Sequence, residues 1–344
     1  MPVVDHLAHV ALDGAAAARL GVAPGPLTLR RGWPRGFELV ALEYRAADGA
    51  LVTGWWEPGR SDRPALQPYG VDRRLPGLRD ALRESAATLI SHRAGKRAVV
   101  RVSGAFVKVV RPDRAAGIAD AARRAAALVA TPRVLGCDPA RGLVRFAPAA
   151  GASLRDAPTP AALAAAGQAL RALHDGARPS AAVHDAAAEA AVVRRWVGAF
   201  VGHGAWHPAA GEALAQLPRV LSGLLRAPGT PLVALHRDLH DGQVLVSAHG
   251  AVTLLDLDTL AIGEAALDLA NLLVHVELTR PGAGEELLDA YDPPPAVRDR
   301  LDAYAAATRL RLACVHAFRP GTEPLVRELL DAVQGPRTSP RLTA

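Results

Sequence analysis

The sequence has few cysteines, few aromatic residues and no long apolar run. Its two cysteines, Cys137 and Cys314, are too far apart for a disulfide framework or a metal-ligand spacing, so we expect two buried thiols. No run of about 18 apolar residues lacks a charge or a turn former, and no basic segment followed by an apolar one opens the chain. Half of the 344 residues are hydrophobic. We therefore expect a globular, cytoplasmic protein with a sizeable core and no membrane partner.

Lysine is also scarce, because only Lys96 and Lys108 stand among the 40 basic residues. The net charge of +6 is uneven: residues 1–146 carry 23 Lys+Arg against 13 Asp+Glu, whereas residues 147–344 carry 17 against 21. A basic half suits a polyphosphate ligand. Its arginines are dispersed without interleaved aromatic residues, so we do not expect nucleic acid to be a partner.

Hydrophobic periodicity and turn signals divide the chain into three segments. These are an extension or cap at residues 1–84, a small domain at 85–146 and a larger one at 147–344. The extension predicts a hairpin over 37–57 around the Asp-Gly turn at 48–49. The second segment predicts a five-stranded antiparallel sheet with one helix at about 114–130. The third is mostly helical, interrupted by a strand pair at 244–246 and 252–258.

Lys108 lies inside the apolar strand AFVKVV. A buried ammonium group is costly unless it meets a carboxylate or a bound anion, so this lysine is a candidate for a charged ligand. The alternative is an edge strand whose lysine points to water. On the following helix, Asp120 falls on a turn that faces the sheet and is our candidate partner for Lys108, although an acidic residue there is also a common helix-dipole partner.

The segment HRDLHDGQVLV at residues 236–246 brings together several polar residues between hydrophobic runs. Asp238 is followed five positions later by Gln243 and eighteen positions later by Asp256, which ends an apolar run. Phosphoryl transfer needs a carboxylate to orient the acceptor hydroxyl and oxygen ligands to hold Mg²⁺ against a triphosphate. The spacing therefore indicates a kinase-type catalytic loop.

Together with LLDLDTLAIGEAALDLANLL, QALRALHDG and VKVV, this loop resembles the aminoglycoside phosphotransferase and choline kinase superfamily of small-molecule kinases over roughly residues 88–335. The resemblance implies an α+β, bilobal, protein-kinase-like fold: a small antiparallel sheet with one helix, then a mostly helical lobe, here preceded by the extension. Asp268 comes twelve residues after Asp256, which leaves no space for an activation loop. The QVL setting and the extension also resemble the bacterial maltokinase branch, but the segment after Asp256 has the general form, so maltose is not inferred.

Carried over by position, the resemblance implies that Asp238 is the catalytic base and that Gln243 and Asp256 bind Mg²⁺. It implies that Lys108 contacts the phosphates of ATP and that Asp120 orients it. Asp268 and His236 correspond to residues that hold and shape the catalytic loop. Further candidates are Gly95, Lys96, Arg97 and Phe146 for the nucleotide, and Asp258, Asn271 and His275 for the substrate.

The expected activity is a Mg·ATP-dependent transfer of the γ-phosphate to a hydroxyl of a small molecule, such as a sugar, an aminocyclitol or aminoglycoside, or another metabolite. The alternative is a pseudokinase that binds nucleotide or serves as a scaffold. Two departures motivate it: Gln243 stands where asparagine is usual, and the loop RAGKR has one glycine, Gly95, where protein kinases have a glycine-rich cover.

Overall fold

The computed structural model describes residues 7–203, 207–226 and 230–333. The chain divides into two compact units. Unit 1 contains the described parts of residues 1–69, 187–226 and 306–344, and unit 2 contains those of 70–186 and 227–305. The predicted division at residues 84 and 146 stays a prediction.

Unit 1 contains a five-stranded antiparallel sheet in which each strand pairs with its neighbour in sequence. The strands are β1 (His9–Leu12), β2 (Gly25–Arg35), β3 (Leu39–Arg45), β4 (Leu51–Trp56) and β5 (Ala65–Gln67). The predicted hairpin is confirmed as β3 and β4. Its turn is held by Asp48, whose carboxylate accepts hydrogen bonds from the N–H groups of Ala50 and Ala23, each at 2.9 Å, and by Gly49 at φ 85°.

Unit 1 also contains helices. They are α1 (Gly14–Leu20), α5 (Ala186–Gly202), α6 (Ala210–Leu224), α10 (Glu323–Val333) and the second half of α9 (Pro295–His316). Phe200 and Phe318 are fully buried and meet edge to face with ring centroids 6.3 Å apart. The N–H of Gly32 on β2 donates to the carbonyl of Phe318 at 2.6 Å. The N-terminal sheet therefore shares its core with helices from distant parts of the chain.

Unit 2 begins with a second five-stranded antiparallel sheet, in the order β6-β7-β8-β10-β9. Its strands are β6 (Thr88–Arg93), β7 (Arg97–Val102), β8 (Ala105–Val110), β9 (Val134–Asp138) and β10 (Leu143–Phe146). Lys108 lies on the central strand β8, paired with Val99 of β7 and Val144 of β10. The edge-strand alternative for this lysine is therefore wrong.

The short helix α2 (Leu78–Leu82) contacts β7 and β8, and the predicted helix packs on the same sheet. This helix, α3 (Pro112–Ala125), starts with proline in its first turn and ends five residues earlier than predicted. Its small apolar residues, among them Ala115, Ile118 and Ala119, form a core with Val110 and Val144. The side chains that pack here are short, so the helix lies close to the sheet.

The rest of unit 2 is mostly helical. It contains α2 (Leu78–Leu82), α4 (Pro160–Asp175), α7 (Ala265–Thr279), α8 (Gly284–Tyr291) and the first half of α9. Two small antiparallel sheets join β11 (Ala152–Ser153) to β13 (Val244–Val246) and β14 (Val252–Leu254), and β12 (Leu232–Leu235) to β15 (Ala261–Glu264). The predicted strand pair is confirmed as β13 and β14. None of the helices in the described ranges combines the length and the apolar character that a bilayer crossing requires.

The mixed α+β fold, with an antiparallel sheet before a helical part, is confirmed. One close approach in it is testable at Gly167 of α4, where an added Cβ would overlap the carbonyl oxygen of Leu287 on α8. Gly117 of α3 is the matched control, because no atom lies within 4 Å of its Cβ position.

We expect Gly167→Ala to lower the free energy of unfolding by about 1–3 kcal/mol, because the two helices must separate. Gly117→Ala is expected to raise it by about 0.5–1 kcal/mol through helix propensity alone. Urea denaturation measures both changes. A Gly167→Ala protein as stable as Gly117→Ala would contradict the close crossing.

Candidate active site

The HRD loop follows β12 and is held by a carboxylate from α7. Asp268, in the first turn of that helix, is fully buried and accepts hydrogen bonds from the N–H groups of His236 at 2.6 Å and Arg237 at 2.7 Å. Arg237 has φ 71°, a left-handed conformation that a side chain other than glycine rarely adopts. Two backbone bonds to one carboxylate offset such strain. The predicted bracing role of Asp268 is confirmed.

A buried histidine supports this carboxylate from the other side. His174, at the end of α4, places its Nε2 3.5 Å from Asp268 Oδ2 and its Nδ1 2.7 Å from the hydroxyl oxygen of Tyr291. Burial raises the pKa of Tyr291 well above its ordinary value, so its hydroxyl stays protonated. His174 belongs to the QALRALHDG segment, which carried the resemblance, although the sequence did not indicate its partners.

The remaining loop contacts are also structural. His236 is fully buried, with Nε2 2.7 Å from the carbonyl oxygen of Leu255, and its own carbonyl accepts from the Thr259 hydroxyl at 2.8 Å. Its loop-shaping role is confirmed. Asn271 was expected among the substrate residues, but it is 2 % exposed and its amide donates to the carbonyl of Leu239. Asn271 therefore supports the loop through this bond, and its contact with a substrate stays a prediction.

A buried cluster of charges surrounds Lys108. Its Nζ lies 2.5 Å from Asp256 Oδ1 and 2.6 Å from Asp258 Oδ2. The guanidinium of Arg97, at the start of β7, donates to Asp256 Oδ2 at 3.2 Å. Asp256 itself has φ 61°, another strained residue, which turns its side chain at the end of β14. The sequence predicted Asp256 and Arg97 for this site but placed Asp258 with the substrate.

The two carboxylates differ in their number of cationic partners. Burial raises the pKa of each, but Lys108 and Arg97 together outweigh this for Asp256 and hold its pKa well below the ordinary value. Asp258 accepts a hydrogen bond from Lys108, but burial and the like charge of Asp256 outweigh the effect of Lys108 and Arg97, so its pKa is raised. The pKa values of the two neighbouring carboxylates are therefore shifted in opposite directions.

Asp120 does not take part in the cluster. It lies on the exposed face of α3, where its carboxylate accepts from Arg123 at 2.9 Å in a surface ion pair. The predicted pairing with Lys108 is wrong, because the helix turns Asp120 away from the face that packs through Ile118 and Ala119. Phe146 does lie near Lys108, with its ring centroid 6.0 Å from Nζ.

The tip of the β6–β7 hairpin holds three of the predicted nucleotide residues. Lys96 is exposed at the tip, and Arg97 points to Asp256. Gly95 has φ 65°, and its N–H donates to the buried carboxylate of Asp72 at 2.6 Å. That donor is therefore already used within the protein, and the structure does not offer the Gly95 amide to a phosphate.

Gln243 is buried beside Asp238. With its amide nitrogen facing acceptors, Nε2 lies 3.2 Å from the carbonyl oxygen of Leu255 and 3.1 Å from that of Asp238, and Oε1 lies 3.3 Å from His240 Nε2. The ring of His240 packs on His275, with centroids 5.2 Å apart. Among the described residues, no donor bonds to the Asp238 carboxylate, which is partly exposed. Asp238 is thus available to an incoming hydroxyl.

Sequence reasoning missed the anchor of the second half of the loop. Asp241 is buried and accepts from Arg155 Nη2 at 2.6 Å and Nε at 3.0 Å, and from the Thr279 hydroxyl at 2.6 Å. These contacts fix the loop to the segment before α4 and to the end of α7. The sequence signal for this anchor was a second aspartate in the loop, Asp241. Its partner Arg155 could not be identified from the sequence because it lies 86 residues away.

The model of the phosphotransferase enzyme family matches residues 84–304, which is more than half of the chain. The chain belongs to the phosphotransferase enzyme family. This membership confirms the resemblance to the aminoglycoside phosphotransferase and choline kinase superfamily and the enzyme class, a phosphotransferase of the small-molecule kinase type. The finer resemblance to the maltokinase branch stays a prediction. A comparison with curated proteins gives no match.

Several solved structures share the fold of this phosphotransferase. An aminoglycoside phosphotransferase from Streptomyces rimosus, also solved with ADP and streptomycin, is 22 % identical, with TM-score 0.53 over 69 % of this chain and 95 % of its own. A choline/ethanolamine kinase family protein from Mesorhizobium loti is 21 % identical, with TM-score 0.55 over 76 % and 91 %. An amicoumacin kinase in complex with AMP-PNP and Ca²⁺ is 11 % identical, with TM-score 0.53 over 77 % and 93 %.

We expect Asp268→Ala to lower the free energy of unfolding, because it leaves the N–H groups of His236 and Arg237 buried without their acceptor, at about 1–3 kcal/mol for each. Asp120→Ala is the control, since an exposed ion pair contributes about 0–1 kcal/mol. Denaturation in urea gives both values. Equal stabilities of the two variants would contradict the bracing role of Asp268.

Proposed function

We propose that this phosphotransferase uses Mg·ATP and transfers the γ-phosphate to a hydroxyl of a small molecule such as a sugar, an aminocyclitol or an aminoglycoside. One observation carries the proposal. The buried Lys108 meets Asp256 and Asp258, which follow the loop that contains the unbonded carboxylate of Asp238. Phosphoryl transfer requires this combination of a cation, oxygen ligands and a carboxylate for the acceptor.

The two cations of the cluster suit the phosphates of a nucleotide. Lys108 is a point charge on the central strand, and Arg97 offers a planar fork that fits phosphate oxygens. In the structure both cations bind Asp256. We infer that they exchange the carboxylate for phosphate oxygens when the nucleotide enters. The structures of relatives with ADP or AMP-PNP support nucleotide use.

The oxygen donors suit Mg²⁺. Asp256 and Asp258 supply carboxylates, which are hard ligands of the kind that Mg²⁺ prefers. Gln243 has an amide oxygen of the same kind, which would exchange its contact with His240 for the metal ion. Among the residues that the structure describes, no group of three or more His, Cys, Asp and Glu could hold a metal ion. Asp256, Asp258 and Gln243 would therefore hold Mg²⁺ together with the nucleotide. When bound, Mg²⁺ would neutralise part of the negative charge on the phosphates.

Asp238 is the residue that we assign to the acceptor. Its carboxylate has no donor from the described residues, so an acceptor hydroxyl can donate to it and be aligned for in-line attack. As the bond between the acceptor oxygen and the γ-phosphorus forms, the bond from that phosphorus to the β,γ-bridging oxygen breaks and ADP leaves, while the hydroxyl proton passes to a carboxylate oxygen of Asp238. The half-buried His275, stacked on His240 next to this loop, stays a candidate for acceptor contact.

Related proteins guide the choice of acceptors. The aminoglycoside phosphotransferase from Streptomyces rimosus was solved with streptomycin. A spectinomycin phosphotransferase solved with spectinomycin is 12 % identical to this chain, with TM-score 0.51. The pseudokinase alternative predicts a protein that binds nucleotide without transfer. The presence of Lys108, Asp238 and Asp256 in one site favours catalysis over this alternative.

The test is a phosphate-transfer screen with Mg·ATP over sugars, aminoglycosides, choline and amino alcohols, followed by ³¹P NMR of the products. We expect Asp238→Asn to reduce kcat by about 10²–10⁴-fold on the acceptor found, because general base assistance is lost. Binding of Mg·ATP should be retained. Asp113→Asn, an exposed aspartate at the start of α3, is the control and should behave as the wild type.

A wild-type protein that binds Mg·ATP but phosphorylates no member of the panel would favour the pseudokinase. An Asp238→Asn protein with wild-type kcat would remove Asp238 from the mechanism.

A further inference from the structure

A buried carboxylate lies at the tip of the hairpin formed by β6 and β7. The Asp72 side chain is 2 % exposed and meets three donors. Its Oδ2 accepts from the N–H of Gly95 at 2.6 Å and lies 3.0 Å from His92 Nε2, and its Oδ1 accepts from the N–H of Arg74 at 2.9 Å. His92, on β6, is equally buried. One carboxylate thus joins the hairpin to the segment that precedes α2.

The charge of Asp72 is retained in this buried position. Burial raises the pKa of the group, but the hydrogen bonds from His92 and the Gly95 N–H outweigh it and lower the pKa below the ordinary value. Charge-assisted bonds of this kind are shorter and stronger than neutral ones. The hairpin tip, where Gly95 has φ 65°, is therefore fixed by a strong contact from outside the hairpin.

Asp72 acts on the same end of the sheet that faces the charge cluster. Gly95 is bound to Asp72, and two residues later Arg97 begins β7 and reaches Asp256 at 3.2 Å. The N–H of Gly95 donates to Asp72, so the cationic side chains at this end of the hairpin, Lys96 and Arg97, are the groups that could reach a phosphate, and Arg97 is the one that points to the cluster. The position of Arg97 depends on a backbone that Asp72 holds in place.

We propose that Asp72 is a positioning residue for the nucleotide, which holds the hairpin tip so that Arg97 reaches the phosphates. The proposal rests on the nucleotide role of the Lys108 cluster. Asp72 lies outside residues 84–304, the part of the chain that the family model matches. The residue that holds the hairpin tip therefore comes from the segment before the matched part.

The test is a calorimetric titration of Mg·ADP into the full-length protein. Asp72→Asn should raise the Kd about tenfold, because a displaced binding group costs affinity although no contact residue has changed. Asp48→Asn is a matched control, because Asp48 also accepts hydrogen bonds from two backbone N–H groups at a hairpin turn but belongs to unit 1. The Kd of the Asp48→Asn protein for Mg·ADP should equal that of the wild type.

A double-mutant cycle with Arg97→Met separates positioning from a general structural effect. If Asp72 acts through Arg97, Asp72→Asn should cause no further loss of Mg·ADP affinity in the Arg97→Met protein. Independent, additive losses would overturn the proposal. An Asp72→Asn protein with the wild-type Kd would overturn the positioning role and leave the proposed function intact, whereas a wild type that binds no Mg·ADP would overturn both.

A measurement on the wild type alone covers the case in which Asp72→Asn does not fold. Amide hydrogen exchange should be at least about tenfold slower at Gly95 than at Gly104, because an internal hydrogen bond protects the first. Gly104 is the corresponding exposed glycine of the next hairpin, at φ 68°. Exchange at Gly95 as fast as at Gly104 would overturn the proposal.

Discussion

The organisation of unit 2 depends on the compensation of one buried charge, that of Lys108. Lys108 lies on a central strand and its side chain is 10 % exposed. Burying an ammonium group in such a position costs several kcal/mol when it has no partner. Asp256 and Asp258 supply the compensation, at 2.5 and 2.6 Å. Because these aspartates follow β14, the ion pairs tie the sheet of β6–β10 to the segment after the HRD loop.

Four aspartates of this unit differ in whether their carboxylates accept hydrogen bonds from the protein. Asp268, Asp241 and Asp72 are buried and accept from backbone N–H groups or from neighbouring side chains, so they are committed to holding loops in place. Asp238 accepts from none of the described residues. The structure thus fixes the loop firmly around a single carboxylate that remains available, which is the arrangement that general base catalysis requires.

The sequence predicted those features that depend on local pattern. The strands around Lys108 and the HRD loop were predicted because periodicity and spacing along the chain encode them, and the brace Asp268 was implied by the resemblance to the kinase superfamily. Partners that are distant in sequence were not predictable: Asp258 is 150 residues from Lys108, and the rotation of α3 that exposes Asp120 is set by packing. Asp72 was missed because it lies in an arginine- and proline-rich segment that the pattern treats as irregular.

The central claim is that the Lys108 cluster is the site of the nucleotide phosphates. The most direct measurement is the Mg·ADP affinity of Lys108→Met compared with the wild type. The account predicts a loss of at least about tenfold, because a charge-assisted contact to phosphate is removed and two buried carboxylates are left facing the anion. An unchanged affinity in a folded Lys108→Met protein would contradict it.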